Sequence, residues 1–318
     1  MPEISIILPI YNGESYLSEC LDSLIAQTFP DIEILCINDG SIDNSLKILN
    51  RYASKDNRIK VFSQQNSGPA CARNLGLKNV NSPFLMFCDA DDSYEPNMCE
   101  EMLHAIKTYD VDMVICDTDI IETESDHGRS PGNIAYCRLK YKGKQYLTPD
   151  LRSAINILLW NKILKMDLIK QWQIDFPSGY KSDDDAFMIQ YLTVAKTFFG
   201  LDKKLYHYKL LNDSIMGKIY AQGKTEALFD KIGSTKYALD FLIRNHLLED
   251  NLWVLSKVKS TILYPLTYLQ IQDSLKYLKK MHNELLICLD TNMLKQYQVL
   301  QDCKEEKYEK IIKEYGKK

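Results

Sequence analysis

A chain of 318 residues, 45% hydrophobic and 26% charged, has apolar material for one large or two small folded domains and leaves no room for a long disordered tract. Its 39 basic and 43 acidic residues give a formal charge of −4, so nothing points to nucleic acid as a partner, a role that calls for a basic face. Nine dispersed cysteines with no Cys-x-x-Cys pair, several inside apolar runs (Cys36, Cys88, Cys116, Cys288), fit a reducing cytoplasm rather than a disulfide framework.

Met1-Pro2-Glu3 runs directly into Ile4–Pro9, a continuous apolar stretch that reads as a strand buried on both faces; no signal peptide is expected. Asn12-Gly13 breaks it, and Leu17, Leu21, Leu24 and Ile25 follow at helical spacing. Residues Ile32–Ile37 form a second buried strand ending at Asn38-Asp39-Gly40-Ser41. Ser41 or Asp43 is suited to cap a helix whose apolar face is Leu46, Ile48, Leu49 and Tyr52. Ile59–Phe62 is a third strand, and Ser67-Gly68-Pro69 opens a further helix with proline in its first turn. Phe84–Cys88 is a fourth strand, Met98–Tyr109 a helix and Met113–Cys116 strand-like. The polar stretch 122–133 reads as a mobile loop. Ala154–Leu159 and Met188–Leu192 read as helical, and from about Thr225 the pattern is almost wholly helical. One stripe there is Leu239, Leu242, Ile243 and Leu247; another is Tyr308, Ile311, Ile312 and Tyr315. No apolar run reaches the roughly 18 to 20 residues of a membrane span.

Alternating strands and helices predict an α/β fold with a mainly parallel sheet. Ligands bind such sheets beyond the carboxyl ends of the strands. Tyr11, Asp39 and the cluster Asp89-Ala90-Asp91-Asp92 each follow a strand, so they are expected on one rim. Carboxylates crowded at a strand tip repel one another unless a cation intervenes. Mg²⁺ and Mn²⁺ take carboxylate oxygen and share it with substrate phosphates. The bland alternative is a solvated acidic turn before the helix at Asn97. No Gly-x-x-x-x-Gly-Lys loop, Gly-x-Gly-x-x-Gly turn or zinc spacing is found.

Three motifs in order carry a resemblance: Pro9-Ile-Tyr-Asn12 with Ser23-Leu-Ile-Ala-Gln-Thr28, then Asn38-Asp-Gly-Ser-Ile-Asp43, then Asn66-Ser-Gly-Pro-Ala-Cys-Ala-Arg-Asn-Leu-Gly76. With the acidic cluster they resemble the family 2 glycosyltransferases, which are inverting enzymes of GT-A fold. The resemblance covers about the first 215 residues. It implies a nucleotide-diphosphate sugar donor, with a UDP-sugar favoured, and a glycan or lipid-linked glycan acceptor in bacterial surface polysaccharide synthesis. It also implies Mn²⁺ or Mg²⁺. Tyr11 would stack on the base, and Asp39 would accept the base's ring N–H. Uracil offers such a donor, and so does guanine. Pro9, Asn12, Asn38 and Ala90 would line the donor, although Asn38 stands where the family has Asp. Arg73 would face the diphosphate, Asp89 the ribose or metal, and Asp91 the metal. Asp92 reads as a supporting carboxylate or a cap. Ser182-Asp-Asp-Asp185 resembles the family's Glu-Asp element, which makes Asp184 the implied general base and places Asp183 near the acceptor. Trp160-Asn161-Lys162 resembles an element that would put Trp160 on a sugar face and Lys162 near phosphate. Tyr206-His-Tyr-Lys209 with Ser214-Ile-Met216 resembles a later element.

The expected organisation is a catalytic domain over 1–220, with a donor half to about 118 and an acceptor half from 119, followed by a helical subdomain over 221–318. The C-terminal lysines and aromatics allow peripheral membrane contact or a homo-oligomer; plain packing of a subdomain is the simpler reading. Two other functions stay open: a nucleotide-sugar-binding scaffold without turnover, and another metal-dependent nucleotide-processing transferase.

Overall fold

The computed structural model describes residues 1–122, 137–180, 183–210, 226–267, 269 and 271–316. The expected loop beyond Glu122, residue Ser182 and the Ser214-Ile215-Met216 stretch lie outside them. Contacts group the described chain into two units: residues 1–147, 155–179 and 194–212, and residues 148–154, 180–193 and 213–318.

The first unit is built on a nine-stranded mixed sheet. Its strands are β1 (Ile4–Ile10), β2 (Ile32–Asp39), β3 (Ile59–Gln64), β4 (Phe84–Phe87), β5 (Ser93–Tyr94), β6 (Met113–Glu122), β7 (Gly143–Tyr146), β8 (Lys162–Lys165) and β9 (Thr197–Leu210). They lie in the order β3-β2-β1-β4-β8-β6-β9-β5, with β7 also on β9. Strands β1 to β4 are mutually parallel. Strand β8 runs antiparallel between β4 and β6, and β6 pairs parallel with β9. Isoleucine-rich β1 and β2 are buried on both faces, as their unbroken apolar runs require of parallel strands covered by helices. Those helices are α1 (Leu17–Ile25), α2 (Ser45–Ala53), α3 (Pro69–Lys78) and α4 (Met98–Thr108). Proline opens α3, as Ser67-Gly68-Pro69 suggested.

Several elements depart from the sequence reading. Ala154–Leu159 is not helical: the helix α5 (Pro149–Ala154) ends where that segment begins. The ammonium of Lys162 gathers Asn156 Oδ1 at 2.7 Å and the Leu158 carbonyl at 2.5 Å, so those acceptors face inward to a buried charge. Strands β5, β7, β8 and β9 and the helix α6 (Met166–Trp172) carried too little period to be foreseen. Fourteen-residue β9 alternates poorly, because it pairs with three different strands along its length.

The second unit contains α5, α7 (Asp183–Val194), α8 (Glu226–Arg244), α9 (Val254–Leu266), α10 (Ile271–Glu284), α11 (Gln298–Lys304) and α12 (Tyr308–Tyr315). Its core takes Leu239 and Leu242 from the first expected stripe and Tyr308 and Ile311 from the second; Ile243 and Tyr315 stay exposed. α5 joins this unit by donation from Lys257 Nζ to the Ser153 carbonyl at 2.8 Å and from Ser256 Oγ to Ser153 Oγ at 3.1 Å. Among the described residues, no helix is long and apolar enough to cross a membrane.

The amino-terminal ends of the central strands carry a buried ion. Glu33 accepts from Ser5 Oγ at 2.5 Å, Lys60 Nζ at 2.5 Å and the Asn81 N–H at 3.0 Å. Burial alone would push its carboxyl up, but these donors together outweigh burial and hold it below its ordinary value of 4.5. A depressed carboxyl stabilises the fold above its unfolded value and loses that contribution as pH falls through the folded one. Glu33→Gln is therefore expected to cost about 2 kcal/mol at neutral pH. In urea unfolding, the gap to the wild type should close as pH drops below 4.5; a gap that stays constant with pH would show that the charge of Glu33 is irrelevant.

Candidate functional site

The register aligns the carboxyl ends of three parallel strands. Ile10 of β1 sits beside Asn38 of β2, and Ile7 of β1 beside Phe87 of β4. Asn12, Asp39 and Asp89 thus emerge on one rim of the first unit. The loops that follow are laced together by local polar groups. Asn12, in the left-handed region at φ 52°, accepts from the Ile42 N–H at 2.9 Å through Oδ1, and its own N–H donates to Ser41 Oγ at 3.0 Å. The Gly13 N–H donates to Ser45 Oγ at 2.8 Å, and Asp43 accepts from the Glu14 N–H at 3.0 Å and the Ser45 N–H at 2.9 Å. Neither expected cap, Ser41 or Asp43, holds the N-cap of α2: Asn44 stands there with no side-chain capping bond, and Asp43 instead ties the start of the helix to the loop after β1. Asn38 accepts from the Ser41 N–H at 3.2 Å, closing the turn within which Gly40 takes a φ of 69°. A Cβ at Gly40 would lie 2.6 Å from the Asn66 backbone nitrogen, so only glycine allows the loops after β2 and β3 to meet.

Asp39 is buried and organises the second of these loops. Its Oδ1 accepts from Gln64 Nε2 at 2.7 Å and the Ser67 N–H at 2.9 Å; its Oδ2 accepts from the Gly68 N–H at 2.9 Å. Oδ2 keeps one lone-pair direction for a further donor. Tyr11 stands half-exposed at the end of β1, an open aromatic face on the same rim. Pro9 lies within β1 opposite Ile37, and Ala90 is half-buried against the core.

Arg73, on α3, is 7% exposed; its guanidinium pairs with Asp89 at 3.2 Å and lies 5.7 Å from the Phe176 ring centroid. Asn74, its neighbour, both donates to the Phe176 carbonyl at 2.8 Å and accepts from the Phe176 N–H at 2.9 Å, fixing that ring. The three clustered aspartates separate by environment. Burial, then the charge of Asp89, push the Asp91 carboxyl up to about 6, and the ammonium of Lys209 opposes them. Asp92 is fully buried, accepts from Tyr206 Oη at 2.7 Å and the Lys209 N–H at 2.8 Å, and is pushed well up by burial and by Asp91 and Asp89.

Asp89 and Asp91 offer hard oxygen donors, and burial together with the charge of Asp89 disfavours the ionised form of Asp91. Among the described residues, no group of three His, Cys, Asp or Glu side chains is arranged to hold a metal ion unaided. A divalent cation held by one or two carboxylates and completed by phosphate oxygens fits this donor set.

Trp160 and Lys162 are core residues. Trp160 is 4% exposed and stacks on Tyr206 (4.4 Å, 19°) and Tyr208 (5.3 Å, 8°); the Lys162 ammonium is enclosed by Asn156, Leu158 and Asn161. The expectation that they touch an acceptor or phosphate meets side chains without a free surface. His207 pairs with Glu95 at 3.0 Å.

In the second unit, the first turn of α7 carries Asp183, Asp184 and Asp185. Asp183 is buried and Asp184 half-buried. Asp185 accepts from Lys231 Nζ of α8 at 2.6 Å, and that ammonium lies 5.9 Å from the Tyr264 centroid of α9. Ahead of this turn, Tyr180 packs against α8 at Gly233, where a Cβ would fall 2.1 Å from the ring. The positive end of a helix dipole favours a carboxylate in this turn.

Sequence reasoning missed Gln64, Asn74, Phe176 and Lys231. Each meets its partner across at least 25 positions, and no local spacing announces that.

A mixed, mainly parallel sheet with an acidic pair, a paired arginine and an open tyrosine on its carboxyl rim defines an α/β protein. The pattern described as Glycosyl transferase family 2 matches residues 5–166, about half of the chain, and the chain belongs to that family. It is 32% identical over 218 residues to EpsH of Bacillus subtilis, a match covering 68% of this chain and 63% of that relative. Among solved structures, S. aureus TarS 1–349 in complex with UDP-GlcNAc superposes with a TM-score of 0.70 at 19% identity, covering 98% of this chain and 90% of that one. The mannosyltransferase PcManGT of Pyrobaculum calidifontis, in complex with GDP-Man and Mn²⁺, gives 0.55 at 13% identity, covering 95% and 84%. The fold is GT-A.

Replacing Asp39 by alanine strands two backbone N–H groups and releases Gln64, so a loss of about 2 to 3 kcal/mol is expected. Urea unfolding measures it, and a change below about 0.5 kcal/mol would mean the loop is held by other means.

Proposed function

We propose that this protein is an inverting glycosyltransferase that moves a sugar from a UDP-sugar-type donor to a hydroxyl of a glycan or lipid-linked glycan. The observation that carries the reading is the shared rim of Tyr11, Asp39, the Arg73–Asp89 pair and Asp91. Membership of the family supports it, as does the fold likeness to a protein described with UDP-GlcNAc and another with GDP-Man and Mn²⁺.

Tyr11 stacks on the base, and the spare lone pair of Asp39 takes the ring N–H. Arg73 meets diphosphate oxygens, its guanidinium already desolvated and oriented by Phe176. Asp89 and Asp91 are the residues that would hold Mn²⁺ or Mg²⁺. When bound, such an ion neutralises the charge that grows on the leaving diphosphate. Asp184 accepts the proton of the acceptor hydroxyl as its oxygen attacks the anomeric carbon from the face opposite the leaving group. The bond from that carbon to the diphosphate oxygen breaks, and nucleoside diphosphate departs with the electron pair. Asp183 contacts the acceptor. The setting of this reading is cytoplasmic synthesis of a bacterial surface glycan, with residues 1–220 as the catalytic part.

Asp184→Asn is expected to lower sugar transfer by at least ~100-fold while leaving donor binding intact. Donor binding is read as a thermal shift across a panel of nucleotide sugars with Mn²⁺. The matching donor should add about 2.7 kcal/mol at roughly 100 times its Kd. Wild-type turnover in Asp184→Asn would remove the base assignment. Binding with no turnover in the native protein on any donor and acceptor would favour a scaffold, and release of pyrophosphate a different transferase.

A further inference from the structure

The turn that carries Asp89 and Asp91 leaves the sheet at β4 and must hold two like charges close together without a regular element behind it. Its own backbone supplies one closure, from the Asp92 N–H to the Asp89 carbonyl at 3.1 Å. The remaining fixings come from side chains far away in sequence. The Tyr206 hydroxyl accepts from the Asp89 N–H at 3.3 Å and donates to Asp92 Oδ2 at 2.7 Å. It therefore spans the turn from its first residue to its last. The other oxygen of Asp92 accepts from the Lys209 N–H at 2.8 Å. Both oxygens of a fully buried carboxylate are thus committed to β9, and Asp92 faces away from solvent.

The ring of Tyr206 is itself fixed. Trp160 stacks on one side at 4.4 Å, and Tyr94 lies tilted against it at 5.6 Å. The Tyr94 hydroxyl donates to the Phe87 carbonyl at 2.8 Å, just before the turn. The same backbone anchor sets the end of β9. Lys209, held by its N–H on Asp92, extends its ammonium to Glu19 of α1 at 2.5 Å and is only 13% exposed there. One buried carboxylate thereby fixes both the pair of acidic side chains and a nearby cation.

We infer that Tyr206 and Asp92 are positioning residues for the cation-sharing pair Asp89 and Asp91, and that Asp92 is not itself a ligand. The inference rests on the reading of Asp89 and Asp91 given above. Carboxylates that bind a hard divalent ion need their oxygens set to within a few tenths of an ångström, and partners that orient such ligands typically change metal affinity 10- to 100-fold when removed. Trp160 belongs to the same device, because it clamps the ring that carries the hydroxyl; this explains a buried tryptophan beside the site without giving it a sugar to hold.

The test uses the full chain and two probes, Mn²⁺ and UDP. Free Mn²⁺ is followed by electron paramagnetic resonance during titration at saturating UDP, and UDP binding is measured separately with Mn²⁺ chelated. Tyr206→Phe removes one hydroxyl and keeps the stack. It should weaken Mn²⁺ about 10- to 100-fold while leaving metal-free UDP affinity near wild type, with an unfolding temperature lowered by the two hydrogen bonds it gives up. Asp92→Asn should weaken Mn²⁺ in the same direction, and Asp91→Ala should abolish Mn²⁺-dependent binding. Wild-type Mn²⁺ affinity in Tyr206→Phe, with binding lost in Asp91→Ala, overturns the positioning role alone. Equal weakening of UDP with and without Mn²⁺ overturns it too, because a merely structural defect acts that way. If Asp92→Asn abolishes binding while Tyr206→Phe is silent, Asp92 is a ligand and the inference falls. Retention of Mn²⁺-dependent binding in Asp91→Ala overturns the cation site and the inference with it.

Discussion

Three aspartates within four positions at the tip of one strand cannot all be charged, close and unpaired. The first unit resolves that conflict by giving each a different surrounding. Asp89 leans on the guanidinium of Arg73, and Asp92 is withdrawn among donors of β9. Asp91 is left partly buried, where burial and the charge of Asp89 raise its carboxyl against a backbone hydrogen bond and the ammonium of Lys209. The arrangement of β9, the stacked aromatics and the arginine on α3 is intelligible as the means of sustaining that division. A site that needs negative charge to meet a cation must first be able to hold the charge while empty.

The rest of the rim obeys a complementary rule about backbone groups. Loops at strand tips expose N–H and C=O groups that a sheet no longer satisfies. Here short polar side chains take them over: Asn12, Ser41, Asp43 and Ser45 join the loops after β1 and β2, and Asp39 joins those after β2 and β3. The same residues that would meet a donor therefore stiffen the surface on which it would rest. Such dual use limits how freely they can be exchanged. The opposite ends of the strands carry a different polar cluster around Glu33, which serves the fold alone.

The second unit shows how an acidic helix start can be kept without a sheet beneath it. Lys231 of α8 answers Asp185, an aromatic ring of α9 lies near that lysine, and Tyr180 rests on Gly233. A helical region that shows no motif of its own thus holds Asp185, the last carboxylate of that first turn.

By itself the sequence determined the parallel α/β core, because continuous runs such as Ile4–Pro9 and Ile32–Ile37 can only be satisfied between two layers of helix. It also determined which strands lead to Tyr11, Asp39 and Asp89, since each residue closes its strand or follows it within two positions and parallel pairing sends all three to one side. Local chemistry sufficed there. Tertiary structure decided what those residues touch. Nothing near Asp92 in the chain announces Tyr206, nothing near Arg73 announces Phe176, and the Trp-Asn-Lys stretch looked like an acceptor contact until packing enclosed Trp160 and Lys162. Strand β9 was illegible for the same reason: a strand that meets β5, β6 and β7 in turn takes its side-chain pattern from three neighbours, and a period written by three partners is no period at all.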